Sequence, residues 1–161
     1  MKIFLLVASI SVVAGTDASA QDKSSGVTRW ARAGLAQPSR CAAVIERMRS
    51  LDNAAYRTGF GLAPGKFYTL SQECLSIGTP ADFRLMLFDR TPLVRVMGLI
   101  CLAQSVDAEE FAKAATVMDG DRAVVRYTNG CVMDQTATVG DIARLLTEGR
   151  FFLAGDDAVR R

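Results

Sequence analysis

Hydrophobic and polar positions along most of this chain recur at helical spacing. From Cys41 the apolar residues fall at Cys41, Val44, Ile45, Met48 and Leu51, with Glu46, Arg47 and Arg49 between them. Steps of three and four place the first set on one face of a helix and the second on its wet side. Phe67, Leu70, Cys74 and Ile77 repeat the stripe, and Gly78 closes it. The stretch Thr91–Gln104, TPLVRVMGLICLAQ, has a different pattern. Beyond its opening Thr-Pro only Arg95 and Gln104 are strongly polar, so the helix it predicts is apolar nearly all round. Such a helix must be covered on both faces, which makes it central to its domain. Its 14 residues are too few to span a bilayer, which takes roughly 20.

Boundary signals divide the rest. Thr79-Pro80-Ala81-Asp82 offers an N-cap threonine, a proline at N1 and an acid at N3, opening a helix over Ala81–Phe88. Thr91-Pro92 opens the central helix in the same way. Asp107-Ala108-Glu109-Glu110 starts another that runs to Met118. The turn Asp119–Asp121 then leads into a helix ending near Gln135. Thr138–Asp141 caps a last one, with Val139, Ile142, Leu145 and Leu146 facing inward. Earlier, Val27–Leu35, around Trp30, predicts a short leading helix interrupted at Pro38-Ser39. Arg57–Phe67 holds Gly59, Gly61, Pro64 and Gly65 and reads as a loop. The tail Gly149–Arg161 is expected to dock through Phe151, Phe152 and Leu153. Ala123–Tyr127, AVVRY, is the best strand candidate, but its flanks suit a helix better. The pattern therefore predicts an all-α protein.

The first residues change the picture of where this domain works. Met1-Lys2, an apolar run from Ile3 to Val13 and the small-x-small site Ala18-Ser19-Ala20 form a secretory signal pattern. Residues 1–20 are read as a signal peptide, 21–26 as a flexible tether, and 27–161 as a single helical domain exported to the periplasm. No second hydrophobic span follows, so no membrane association is expected after cleavage. In an oxidising compartment the four cysteines, Cys41, Cys74, Cys101 and Cys131, favour disulfides. A four-thiolate zinc site is the other use of four cysteines, but no CxxC pair supports it. No metal or other cofactor is expected.

Charge and residue chemistry then exclude function classes. A net charge of +2 without a basic cluster argues against nucleic-acid binding. The chain has no histidine, which removes the commonest general base and metal ligand together with every Ser-His or Cys-His nucleophile. Glu109-Glu110 is explained by the helix start it occupies and Asp156-Asp157 by a solvated tail. Nothing selects a catalytic pair, and the expectation is a binding protein, not an enzyme.

Two segments resemble each other: Phe88–Gln104, FDRTPLVRVMGLICLAQ, and Met118–Asp134, MDGDRAVVRYTNGCVMD. Aspartate and cysteine match at an offset of 30 and Val-Arg at 31. Asp89, Pro92, Val94 and Arg95 resemble the loop aspartate and inner-helix Val-Arg of HEAT-like repeats. The resemblance implies a short α-α superhelix of antiparallel helix pairs, HEAT- or armadillo-like, in which Arg95 bonds the loop acid Asp89. It covers Thr79–Glu148, with Cys41–Ile77 as a degenerate first pair. On that repeat geometry Cys41 faces Cys74 across the first hairpin, and Cys101 faces Cys131 on neighbouring inner helices. Two disulfides would staple the stack, or one pair would stay as buried thiols.

The loop GFGLAPG, Gly59–Gly65, has neither Walker nor dinucleotide spacing. Phe60 and Leu62, flanked by Arg57, Lys66 and Tyr68, either insert into a partner's cleft or fold back as a lid on the core. In size, export, cysteine content and helical class the chain resembles the periplasmic immunity proteins that neutralise peptidoglycan-cleaving amidase effectors of type VI secretion systems. That likeness implies a protein partner, a secreted cell-wall hydrolase, whose cleft the loop would block. A homodimer through an exposed repeat end and an envelope scaffold are the other roles a repeat surface offers. Produced in a bacterial host with a periplasm, the chain should be recovered there with Gln21 at its N-terminus. An intact mass retaining Met1 to Ala20 would contradict the export reading.

Overall fold

The structure, a computed structural model, describes residues 39–55, 57–58, 63–129 and 132–150, and only the backbone at 57–58, 129 and 132–134. The expected signal peptide, tether, leading helix and docking tail lie outside the described residues. The order of elements is α1 (Ala42–Arg49), β1 (Ala54–Ala55), β2 (Arg57–Thr58), β3 (Ala63–Pro64), α2 (Lys66–Ile77), α3 (Pro80–Met86), α4 (Pro92–Ser105), α5 (Ala108–Met118), β4 (Val124–Asn129), β5 (Val132–Thr138) and α6 (Val139–Thr147).

The predicted starts form by the predicted chemistry. The Thr79 hydroxyl accepts from the Asp82 amide while the Asp82 carboxylate accepts from the Thr79 amide, a reciprocal cap at α3. Thr138 and Asp141 build the same box at α6. Each such cap contributes about 0.5–2 kcal/mol by satisfying amides that a helix start leaves bare. At α4 the threonine does not cap. Asp89, two residues before it, instead accepts the amide of Thr91 itself at 2.8 Å.

Helix α4 is central, as its composition demands. Leu93, Val94 and every residue from Val96 to Leu102 are buried. It packs against α1, α2, α3, α5, α6 and β4. Its closest neighbour is α3, and Gly98 is the reason: a β-carbon there would lie 2.8 Å from the Met86 β-carbon and 2.9 Å from the Phe83 carbonyl oxygen. Hydrogen at this position lets the two backbones meet.

The fold is mostly helical but not all-α. Val124–Thr138, expected as a helix, is a β-hairpin with Val124 opposite Thr138 and Asn129 opposite Val132. β1 joins it in parallel, Ala54 beside Tyr127, giving the order β1-β4-β5. The reason lies in the residue types. Val124, Val125, Tyr127 and Thr128 favour a pleated surface, and Gly130 directly after the strand is a turn-favouring residue. Val125 faces the core while Val124 and Arg126 face outward. The likeness between Met118–Asp134 and Phe88–Gln104 is therefore not a repeated helix, and the second inner helix that the HEAT-like resemblance implied is not formed.

The cysteines divide accordingly. Cys41 and Cys74 form a disulfide with 5.4 Å between their α-carbons, joining the start of α1 to the last turn of α2. The expected Cys101–Cys131 pair is not made. Cys101 is a free thiol fully buried on α4, with its sulfur 3.8 Å from the Ser71 carbonyl oxygen. Burial pushes that thiol up to about 12, so it stays protonated and unreactive. Cys131 falls outside the described residues. That the partner segment is a strand, not a parallel inner helix, is what removes the pairing.

Replacing Gly98 with alanine should cost roughly 1–3 kcal/mol by overpacking the α3–α4 contact, although alanine is the better helix former. Gly120, with nothing within 4 Å of an added β-carbon, is the control, and Gly120→Ala should change stability by less than about 0.5 kcal/mol. Denaturant unfolding of both variants checks this, and equal stability of the two would refute the packing argument.

Candidate functional site

β2 and β3 pair in antiparallel register, Arg57 opposite Pro64 and Thr58 opposite Ala63, so the chain reverses through residues 59–62. The expected loop therefore has a paired base. Phe60 and Leu62, the two apolar residues proposed to insert or fold back, belong to that reversal and lie outside the described residues. Arg57 is described only as backbone in β2.

The base is mounted closely on the body. Gly65, directly after β3, is buried, and a β-carbon there would stand 1.9 Å from the Ala55 carbonyl oxygen. Only glycine permits this approach of the α2 start to β1. Lys66, the first residue of α2, is exposed. Tyr68, one of the predicted contact residues, is half-buried and packs against the core. The five predicted residues thus separate into a surface cation, a core-facing aromatic and three positions around the reversal.

Beside the hairpin, between the end of α1 and the start of α2, runs a shallow groove of about 330 Å³. Leu51, Pro64 and Leu70 supply its apolar lining, and Arg47 and Lys66 supply charge of one sign. The sequence reading missed it because its two sides are separated by the whole Leu51–Lys66 connection. A second groove, between α5 and α6, is lined by Ala112, Ala115 and Thr116, with Asp119 and Glu148 offsetting Arg144. Among the described residues no group of three or more cysteine, aspartate or glutamate side chains is placed to hold a metal ion. None of their helices is long and apolar enough to cross a membrane.

Part-buried carboxylates tie the elements that carry this region. The resemblance to HEAT-like repeats implied a bond from Arg95 to the Asp89 carboxylate, and the structure corrects it. Arg95 donates to the Asp89 backbone carbonyl at 2.7 Å, while its guanidinium pairs with Asp121 at 2.7 Å. The Asp89 carboxylate pairs instead with Arg49 of α1 at 2.5 Å. Arg84 of α3 pairs with Glu110 of α5 at 2.7 Å. These partners are too far apart in sequence for any local signal to have named them.

Burial disfavours the charge on Asp89, but the hydrogen bond from Arg49, the Thr91 amide and the Arg49 charge outweigh it and hold the carboxyl below the ordinary range. Asp82 behaves alike: burial raises it, and bonds from the Thr79 hydroxyl and amide, Ser39 and the Arg40 amide lower it further than burial lifts it.

No family of known proteins matches this chain, and no curated protein sequence matches it. A solved structure does. A chain of the Snu23–Prp38–MFAP1(217–258) complex of Chaetomium thermophilum superposes with a TM-score of 0.61 at 12% sequence identity. The match covers 81% of this chain and 69% of that one. At that identity the likeness is one of fold.

Both aspartates have folded-state values below their unfolded ones. Their stabilisation is therefore complete above the unfolded carboxylate value of about 4 and is lost as pH falls through the folded values. The melting temperature should hold steady from about pH 7 to about pH 5 and fall below about pH 4. Asp89→Asn should be less stable than the parent near neutrality and close that gap near pH 3. A gap of unchanged size across the range would show that the Asp89 charge is not what stabilises.

Proposed function

We propose that this protein is an exported, non-catalytic inhibitor that binds another protein, and that the hairpin around residues 57–64 enters the partner's cleft. The observation that carries the reading is the mounting of that hairpin. Its two strands are paired, Gly65 seats it against Ala55, and the Cys41–Cys74 bridge links the two helices beside it. Loops that recognise partners work best from such rigid supports, because less ordering has to accompany binding. The Gly59-Phe60-Gly61-Leu62 sequence supplies two apolar side chains between the paired strands.

The specific form of the proposal is an immunity protein in the periplasm that occludes the active site of a peptidoglycan-cleaving amidase effector of a type VI secretion system. Signal-like residues 1–20, a disulfide and a small, mostly helical body support it. The mechanism is steric: the partner's substrate is kept out, and no bond is made or broken by this chain. The helices α1 to α5 would serve as a HEAT-like platform interrupted by the β4–β5 hairpin. A second reading, a non-catalytic envelope scaffold that organises an assembly, draws support from the fold likeness to a chain of a multi-protein complex.

The test is to use the exported protein as bait in periplasmic extracts of its own organism and of close competitors. Recovery of one stoichiometric wall hydrolase whose activity is abolished is the expected result. Phe60→Ala with Leu62→Ala should then weaken inhibition at least tenfold while leaving thermal stability unchanged. Capture of assembly proteins without inhibition would transfer the conclusion to the scaffold.

A further inference from the structure

The groove between α1 and α2 adjoins the hairpin, because Pro64 belongs to β3 and Lys66 opens α2, and both line it. A partner that grips the hairpin therefore meets the groove. Resting on the binding reading above, we propose that this groove docks an acidic segment of the partner that carries an aliphatic side chain. The segment's carboxylates meet Arg47 and Lys66, and its aliphatic group meets Leu51 and Leu70.

Charge decides the chemistry of the occupant. No carboxylate lines the groove, whereas the α5–α6 groove balances Arg144 with Asp119 and Glu148. Lys66 makes no ion pair with a described residue. Arg47 pairs with Glu73, but both side chains are about half exposed, and a pair so open to water holds its partner weakly. The remaining guanidinium N–H groups are open to a second carboxylate. Helix α2, like α1 and α4, has no acid in its first turn, whereas α3 has Asp82, α5 Glu109 and Glu110, and α6 Asp141. The field at its start is uncompensated and adds to that of Lys66.

Shape argues for a protein segment over a small molecule. At about 330 Å³ the groove lies at the bottom of the range of ligand clefts, roughly 300–1,000 Å³, and it is shallow. It can take a side chain or two of a larger surface. Two cations around three apolar residues are also too few for a phosphate backbone.

The experiment uses the exported protein with its disulfide intact and three fluorescent twelve-residue peptides. The first alternates acidic residues with leucine, the second has lysine for each acid, and the third has alanine for each leucine. The acidic leucine peptide should bind saturably, more weakly as salt rises, with amide shifts at Ser50, Leu51, Thr69 and Leu70. The other two should bind at least tenfold more weakly. Arg47→Gln with Lys66→Glu should abolish binding without unfolding, because glutamine sets no like charge against Glu73 and an acid at the start of α2 favours the helix. Equal binding of the lysine peptide, shifts centred elsewhere, or no binding at millimolar peptide would each overturn the proposal. Groove binding in a protein that inhibits no hydrolase would uphold the groove and sink the inhibitor reading. Full inhibition by the doubly substituted protein would do the reverse.

Discussion

Covering α4 on every side is the constraint from which the other elements take their places. Nine of its fourteen residues are buried, and a helix without a wet face cannot sit at a surface. Five helices and a strand converge on it. Where they come closest, Gly98 removes the side chain that would hold α3 away. Where polar groups must sit near this core, they arrive paired: Asp89 with Arg49, and Arg95 with Asp121. An isolated charge in such surroundings would cost far more than the pairs contribute.

The helical part was legible because its signals are local. Threonine, proline and acid at fixed steps mark a helix start whatever the chain does elsewhere, and α3 and α6 begin where those residues stand. The β4–β5 hairpin was misread although its signal is also local. Ala123–Tyr127 is the best strand candidate in the sequence, and its flanks together with the second Val-Arg and cysteine match favour a helix instead. Val-Arg occurs both in α4 and in β4, so a dipeptide match said nothing about period. The lesson is physical: out-in-out burial over Val124, Val125 and Arg126 fits a strand, but three residues are too few to separate that period from a helical one.

The candidate site was legible in part. Glycine and proline density marked the reversal, and the structure gives it a paired base. The groove beside it could not be read, since its lining is assembled from two helices joined by the whole β1–β3 segment. The same holds for the partners of Asp89 and Arg95. Sequence reasoning correctly singled out both residues and assigned them to each other, while the fold gives each carboxylate and each guanidinium a partner from a different element.

The disulfide lies on the same side of the molecule as the hairpin, but its effect is on the chain as a whole. The bridge spans 33 residues of chain, and that chain includes β1, the reversal and all but the end of α2. Closing a loop of that length stabilises by roughly 3–4 kcal/mol in the chain-entropy picture, mostly by restricting the unfolded chain. Placed between Cys41 and Cys74, the bridge ties the start of α1 to the last turn of α2, the end of this helix pair away from the groove. Two two-residue strands hold a register weakly by themselves, so the close seat of Gly65 against Ala55, not the bridge, is what fixes the base of the hairpin.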